Sequence, residues 1–151
     1  MQLAWTMVTQ RRRRIVAGDA NLLGADTARA LSAEGVRIIW PIGADYEFRH
    51  DQMRAFLASL WLVEETPTLA ALQKTAKDSG AFDISRRDQE ELWRFVAPLL
   101  TSPADLAAMW NFASDEPEER AILLNALQAE AAKRNVTLVR VAHLRDLESV
   151  G

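Results

Sequence analysis

The stretch RRIVAGDANLLGADTARALSAEGVRIIWPIG, residues 13–43, decides how the chain reads. A short apolar run, a glycine-bearing loop, a helical segment and a second β-branched run follow one another within the length of one βαβ unit. Ile15 to Gly18 forms the first strand and ends in Gly18-Asp19-Ala20-Asn21, residues suited to a turn. The helix runs from about Leu22 or Ala25 to Glu34 and stops at Gly35, where a left-handed residue commonly ends a helix. Val36 to Ile42 is the second strand. Its Pro41 has no N–H to donate and belongs at a strand end or a sheet edge.

Before this unit, Leu3 to Thr9 mixes β-branched and aromatic residues without helical spacing, which predicts a strand. Beyond it, from Arg49 to Asn135, the periodicity is helical. Met53, Phe56, Leu57, Leu60 and Trp61 define one apolar stripe. Thr66-Pro67 starts a second helix carrying Leu69, Leu72 and Ala76 and stopping at Gly80. Ser85 with Asp88 resembles a capping box for a third, with Leu92, Trp93, Val96, Leu99 and Leu100, which Pro98 kinks or ends. Ser102-Pro103 opens a fourth with Leu106, Met109, Trp110 and Ala113. Asp115 caps a fifth with Ile122, Leu123, Ala126 and Leu127, places Glu116, Glu118 and Glu119 near its positive end, and Asn135 stops it.

Val136 to Leu144, VTLVRVAHL, reads as a closing strand. Strands at both ends with helices between them imply a small α/β domain with a three- to four-stranded, mainly parallel sheet built on the N-terminal βαβ unit. The expected organisation is one domain over 1–151: a βαβ part (1–48), a helical block (49–135), and a closing strand with tail (136–151).

Composition narrows the function classes. A chain of 151 residues buries roughly 70% of its unfolded surface, enough for a full core. The 49% hydrophobic and 26% charged residues are those of an ordinary globular protein. No cysteine is present, which excludes disulfides, thiolate nucleophiles and zinc sites that need a thiolate. No apolar run approaches the ~18 residues of a membrane span, and MQLAWTMVTQRRRR puts its charges after its apolar part, the reverse of a secretory signal. The expected location is the cytoplasm. A net charge of −3 gives no general attraction to nucleic acid, and the dominance of arginine over lysine points to a GC-rich, bacterial-like coding bias. Arg11 to Arg14 stand against no acid in residues 1–18, whereas the helical block is acidic. That asymmetry leaves room for an internal contact between the two.

Two loops gather residues that could carry chemistry. Gly18 to Gly24 sits where nucleotide-binding βα turns let phosphate approach a helix N-terminus, with Gly18, Asp19, Asn21 and Gly24 as candidate ligands. The motif is incomplete, since Leu22 stands where a dinucleotide fingerprint has a third glycine and the Gly-Lys-Ser/Thr of a phosphate loop is missing. After the second strand, Gly43 to His50 adds Asp45 and His50. If the closing strand runs parallel, His143 joins them on one rim. Each of these is equally an ordinary turn or cap residue. The arginine run, without interleaved aromatics, reads as a solvated strand edge rather than a nucleic-acid track. Of five tryptophans, Trp61, Trp93 and Trp110 fall on apolar stripes, while Trp5 and Trp40, on strands near the sheet edge, are the candidates to face a partner.

No complete catalytic constellation, cofactor motif or metal-ligand set appears. The leading expectation is therefore a non-enzymatic cytoplasmic interaction or regulatory protein that binds another protein or its own copy, with neither membrane nor nucleic acid as partner. The alternative is a nucleotide- or phosphate-ligand-binding α/β domain, an enzyme among the forms it could take, acting at the carboxyl rim of the parallel strands.

Overall fold

A computed structural model of the chain describes residues 1–16, 19 and 25–139. Among these, seven helices and three short strands follow the order α1 (Gln2–Thr9), β1 (Arg14–Ile15), α2 (Ala25–Ser32), β2 (Ile39–Ile42), β3 (Asp45–Phe48), α3 (Asp51–Glu65), α4 (Leu69–Asp78), α5 (Arg86–Leu99), α6 (Pro103–Ser114) and α7 (Ala121–Lys133). The fold is mainly helical, with a three-stranded antiparallel sheet of order β1-β3-β2, and the expected parallel sheet on a βαβ unit is overturned.

The reason lies in Asp45-Tyr46-Glu47-Phe48, read above as a loop. This segment turns back after Ile42 through Gly43-Ala44, with Gly43 at φ 63 in the first turn position, as a two-residue hairpin requires. It pairs Ile42 with Asp45, Pro41 with Tyr46 and Trp40 with Glu47, and then accepts β1 on its other side through Arg14–Glu47 and Ile15–Tyr46. Arg49 donates its N–H to the Ile38 carbonyl at 2.9 Å, which fixes the alternation of hydrogen-bonded pairs and makes Pro41–Tyr46 a non-hydrogen-bonded one. Pro41 thus turns its donorless nitrogen to the open edge, where its chemistry placed it.

The sheet's inner face joins Ile15, Ile39, Tyr46 and Phe48 to Leu3 and Met7 of α1 and to Ala28 and Leu31 of α2. Leu3 to Thr9 is helical, not a strand. This helix is buried on both sides, because Ala4, Trp5 and Val8 enter the larger helical core while Leu3 and Met7 enter the sheet cluster. A helix buried all round shows no single apolar stripe, so its period is invisible in the sequence. Truncating Met7, fully buried, to alanine would cost about 2–5 kcal/mol.

The helical core is built from α3 to α7 around Leu62, Leu92, Trp93, Leu106, Met109, Leu123 and Leu127. Local chemistry starts and stops these helices as read. Ser85 accepts from the Asp88 N–H, Ser102 from the Ala104 N–H with Pro103 in the first turn, and Gly80 and Asn135 adopt φ 74 and 55 after helix ends. Three details differ. Thr68 rather than Thr66 caps α4, accepting from Ala71 N–H at 3.1 Å. Asp115 does not cap α7, which begins six residues later. The intervening turn is tied down by buried Arg120, which donates to the Phe112 carbonyl at 2.6 Å with its guanidinium 4.1 Å from the Phe112 ring centre. On α3 the buried face is Arg54, Ala55, Ala58, Ser59 and Leu62, of which the small Ala55, Ala58 and Ser59 let α1 and α5 approach, so the large stripe flanks the contact and Phe56 is exposed. Residues 136–139 are irregular, with Val136 and Leu138 against the helical core; the remainder of the expected closing strand lies outside the described residues.

Candidate functional site

All four arginines of the run from Arg11 to Arg14 are engaged within the molecule. Arg11 donates to the Asp83 carbonyl, and Arg12 grips Asp19 with both arms at 2.7 and 2.9 Å. Asp19 also accepts from the Val16 N–H at 3.0 Å and is only 5% exposed. The Arg12 hydrogen bond, helped by that N–H, holds its carboxyl below the usual aspartate range against the opposing effect of burial. Arg13 pairs with Asp51 at the start of α3, and Arg14 reaches Glu47 at 3.7 Å and Asp45 at 4.0 Å on β3. Of the four, only Arg13 meets a carboxylate of the helical block, that of Asp51. The run clasps the sheet to the helices.

Under this clasp lies a buried ion pair. Arg54, 2% exposed, meets Asp88 at 3.0 Å and donates its other arm to the Arg12 carbonyl. Burial lowers the Arg54 pKa and the Asp88 charge offsets part of that. Glu91, one turn along α5, is nearly buried and takes Arg87 at 3.5 Å.

Strand alternation puts Arg14, Trp40, Ile42, Asp45 and Glu47 on the outer face of the sheet, opposite the core. There Trp40, paired across β3 with Glu47, remains 41% exposed. Between this face and the starts of α3 and α5 opens a hollow of about 490 Å³, lined by Trp40, Glu47, Phe48, Arg49, His50, Asp51, Gln52 and Arg87. His50 is the N-cap of α3, but its imidazole makes no capping hydrogen bond. One turn from Gln52 and two turns from Arg87, Phe56 and Phe95 meet edge to face at 5.5 Å, so an aromatic pair continues the surface.

Asp19, Asp45 and His50, the described residues among the ligand candidates singled out in the sequence, have separate surroundings, because an antiparallel sheet has no common carboxyl end. Asp19 is the buried partner of Arg12, Asp45 faces Arg14 on the outer face, and His50 lines the hollow. Gly18, Asn21, Gly24 and His143 lie outside the described residues. Trp5 sits in the core, stacked on Trp61 at 5.5 Å, rather than at a sheet edge. Trp93, fully buried against Phe82, has no hydrogen-bond partner for its N–H among the described residues. Trp40 alone of the two expected interface tryptophans is exposed. Arg49, Arg87 and the Phe56–Phe95 pair were not foreseen. The strict alternation of polar and aromatic residues in Asp45 to Phe48 was the signal for the strand that builds the hollow.

Among the described residues no group of three or more His, Asp or Glu side chains is placed to hold a metal ion, and no helix is long and apolar enough to cross a membrane. No protein family, characterised protein or solved structure matches the chain.

Proposed function

We propose that this chain is a non-enzymatic, cytoplasmic protein-binding module whose recognition face is the Trp40 hollow with the charged layer around it. The observation that carries the reading is Trp40 itself: a large aromatic side chain left 41% exposed on the outer face, in a hollow flanked by Arg49 and Arg87. Tryptophan and arginine are the residues most enriched among interface anchors. Pairing by strand addition at the β2 edge is disfavoured, because Pro41 withholds a donor where an added strand would need one. Recognition through side chains is the mode that the exposed Trp40 favours on this face. A cysteine-free composition agrees with a reducing compartment.

The test is affinity capture from the native host with the intact chain and with Trp40→Ala and Arg49→Glu, beside Lys133→Glu on the last turn of α7 as a distant control. The proposal expects one protein retained in stoichiometric amount by the intact chain and the control, and lost with both face variants while their circular-dichroism spectra stay native. Retention of the same protein by Trp40→Ala and Arg49→Glu would place the binding face elsewhere.

A further inference from the structure

Resting on that reading, we infer that the occupant of the Trp40 hollow is an acidic segment of a partner protein carrying one aromatic or large apolar side chain. Charge is layered on this face. Arg13, Arg14 and Arg87 hold their side chains 49%, 58% and 68% exposed, whereas their carboxylate partners Asp51, Glu47 and Glu91 are 34%, 32% and 11% exposed. The acids form the inner layer and the guanidinium groups the outer one. The local sum of charge is near zero, yet a surface in contact meets cations first.

Each guanidinium carries five N–H donors, and its internal ion pair engages one or two nitrogens, so the outward edge can take a second carboxylate. Arg49 and His50, on the same rim, make no ion pair among the described residues. Within this ring Trp40 offers an aromatic face for one apolar or aromatic side chain. A basic segment would meet the outer arginines as like charge. A nucleic-acid strand would require a longer positive track, but Arg11 and Arg12, which would extend it, bond inward to Asp83 and Asp19, and the chain carries a net charge of −3.

The experiment uses the full chain and a dye-labelled synthetic peptide of seven residues, six glutamates around a central phenylalanine, read by fluorescence anisotropy. Three further probes accompany it: the same peptide with lysine for glutamate, the same with alanine for phenylalanine, and an oligothymidine of similar charge. The acidic aromatic peptide should bind, weaken as salt is raised, and lose about tenfold affinity with Trp40→Ala and several-fold with Arg49→Ala or Arg87→Ala. The alanine peptide should bind less tightly and the lysine peptide not at all. Absence of binding by the acidic peptide, equal binding of the lysine peptide or of oligothymidine, or indifference to all three substitutions would overturn the inference. So would concentration-dependent self-association of the free chain that Trp40→Ala abolishes, which would make the occupant a second copy. If the native partner of the capture experiment is lost with Trp40→Ala while the acidic peptide fails to bind, the face stands and its assigned chemistry falls.

Discussion

Replacing Arg54 by methionine should be among the most damaging single changes in this protein. Methionine keeps most of the side-chain volume and removes the charge. What remains is the Asp88 carboxylate, 8% exposed and without its 3.0 Å partner, and the Arg12 carbonyl without its guanidinium donor. Leaving one member of a buried ion pair uncompensated costs about 3–5 kcal/mol. At about 2–4 °C per kcal/mol for a domain of this size, the melting temperature should fall by roughly 6–20 °C. Removing both charges is a different perturbation. Arg54→Met with Asp88→Leu leaves only the Arg12 carbonyl and a small loss at the first turn of α5, about 0.3–1 kcal/mol for the helix dipole, so the double variant should be more stable than Arg54→Met alone. Urea denaturation of the four proteins closes a double-mutant cycle, and a coupling energy above about 2 kcal/mol is expected. Additive single effects, or an Arg54→Met variant within about 0.5 kcal/mol of the parent, would refute the view that this pair holds the arginine clasp to α3 and α5.

Because Arg12 holds the Asp19 carboxyl below its ordinary value, the pair's contribution is complete above the unfolded aspartate range near pH ~4 and is lost as pH falls through the lower native pKa; Asp19→Asn should be less stable at neutral pH and should flatten the acid limb of a stability–pH curve, and an unchanged limb would count against the pair. Trp5→Phe should abolish a far-ultraviolet exciton signal arising from the Trp5–Trp61 stack and lower stability by about 1 kcal/mol, whereas a spectrum identical to the parent would mean the two rings are not in contact. Gly80→Ala places a Cβ only 3.6 Å from the Asp83 carboxylate, an ordinary contact, so its cost, measured by thermal melting, should be the roughly 1–2 kcal/mol of a left-handed alanine and no more.

The amino-acid sequence by itself determined the features that depend on a few neighbouring residues. The serines at 85 and 102, the glycine at 80 and the asparagine at 135 mark helix ends because capping and positive φ are local backbone chemistry, whereas the helix expected to stop at Gly35 ends at Ser32. Leu92, Trp93 and Val96 show their buried face because α5 is covered on one side only. Pro41 announced an edge for the same local reason. Tertiary structure alone decided the rest. Leu3 to Thr9 became a helix because two different clusters cover it, which removes the stripe that would have shown its period. The direction of pairing was set by β3, whose four half-buried residues gain their meaning only between β1 and β2. Asp19 and Asp45, legible as loop carboxylates, turned out to be counter-ions of Arg12 and Arg14, because nothing in a chain states which distant charge will stand beside it. The Trp40 hollow is likewise a product of assembly: its lining comes from two strands and the first turns of two helices, and only their packing brings an exposed tryptophan and a layer of arginines onto one face.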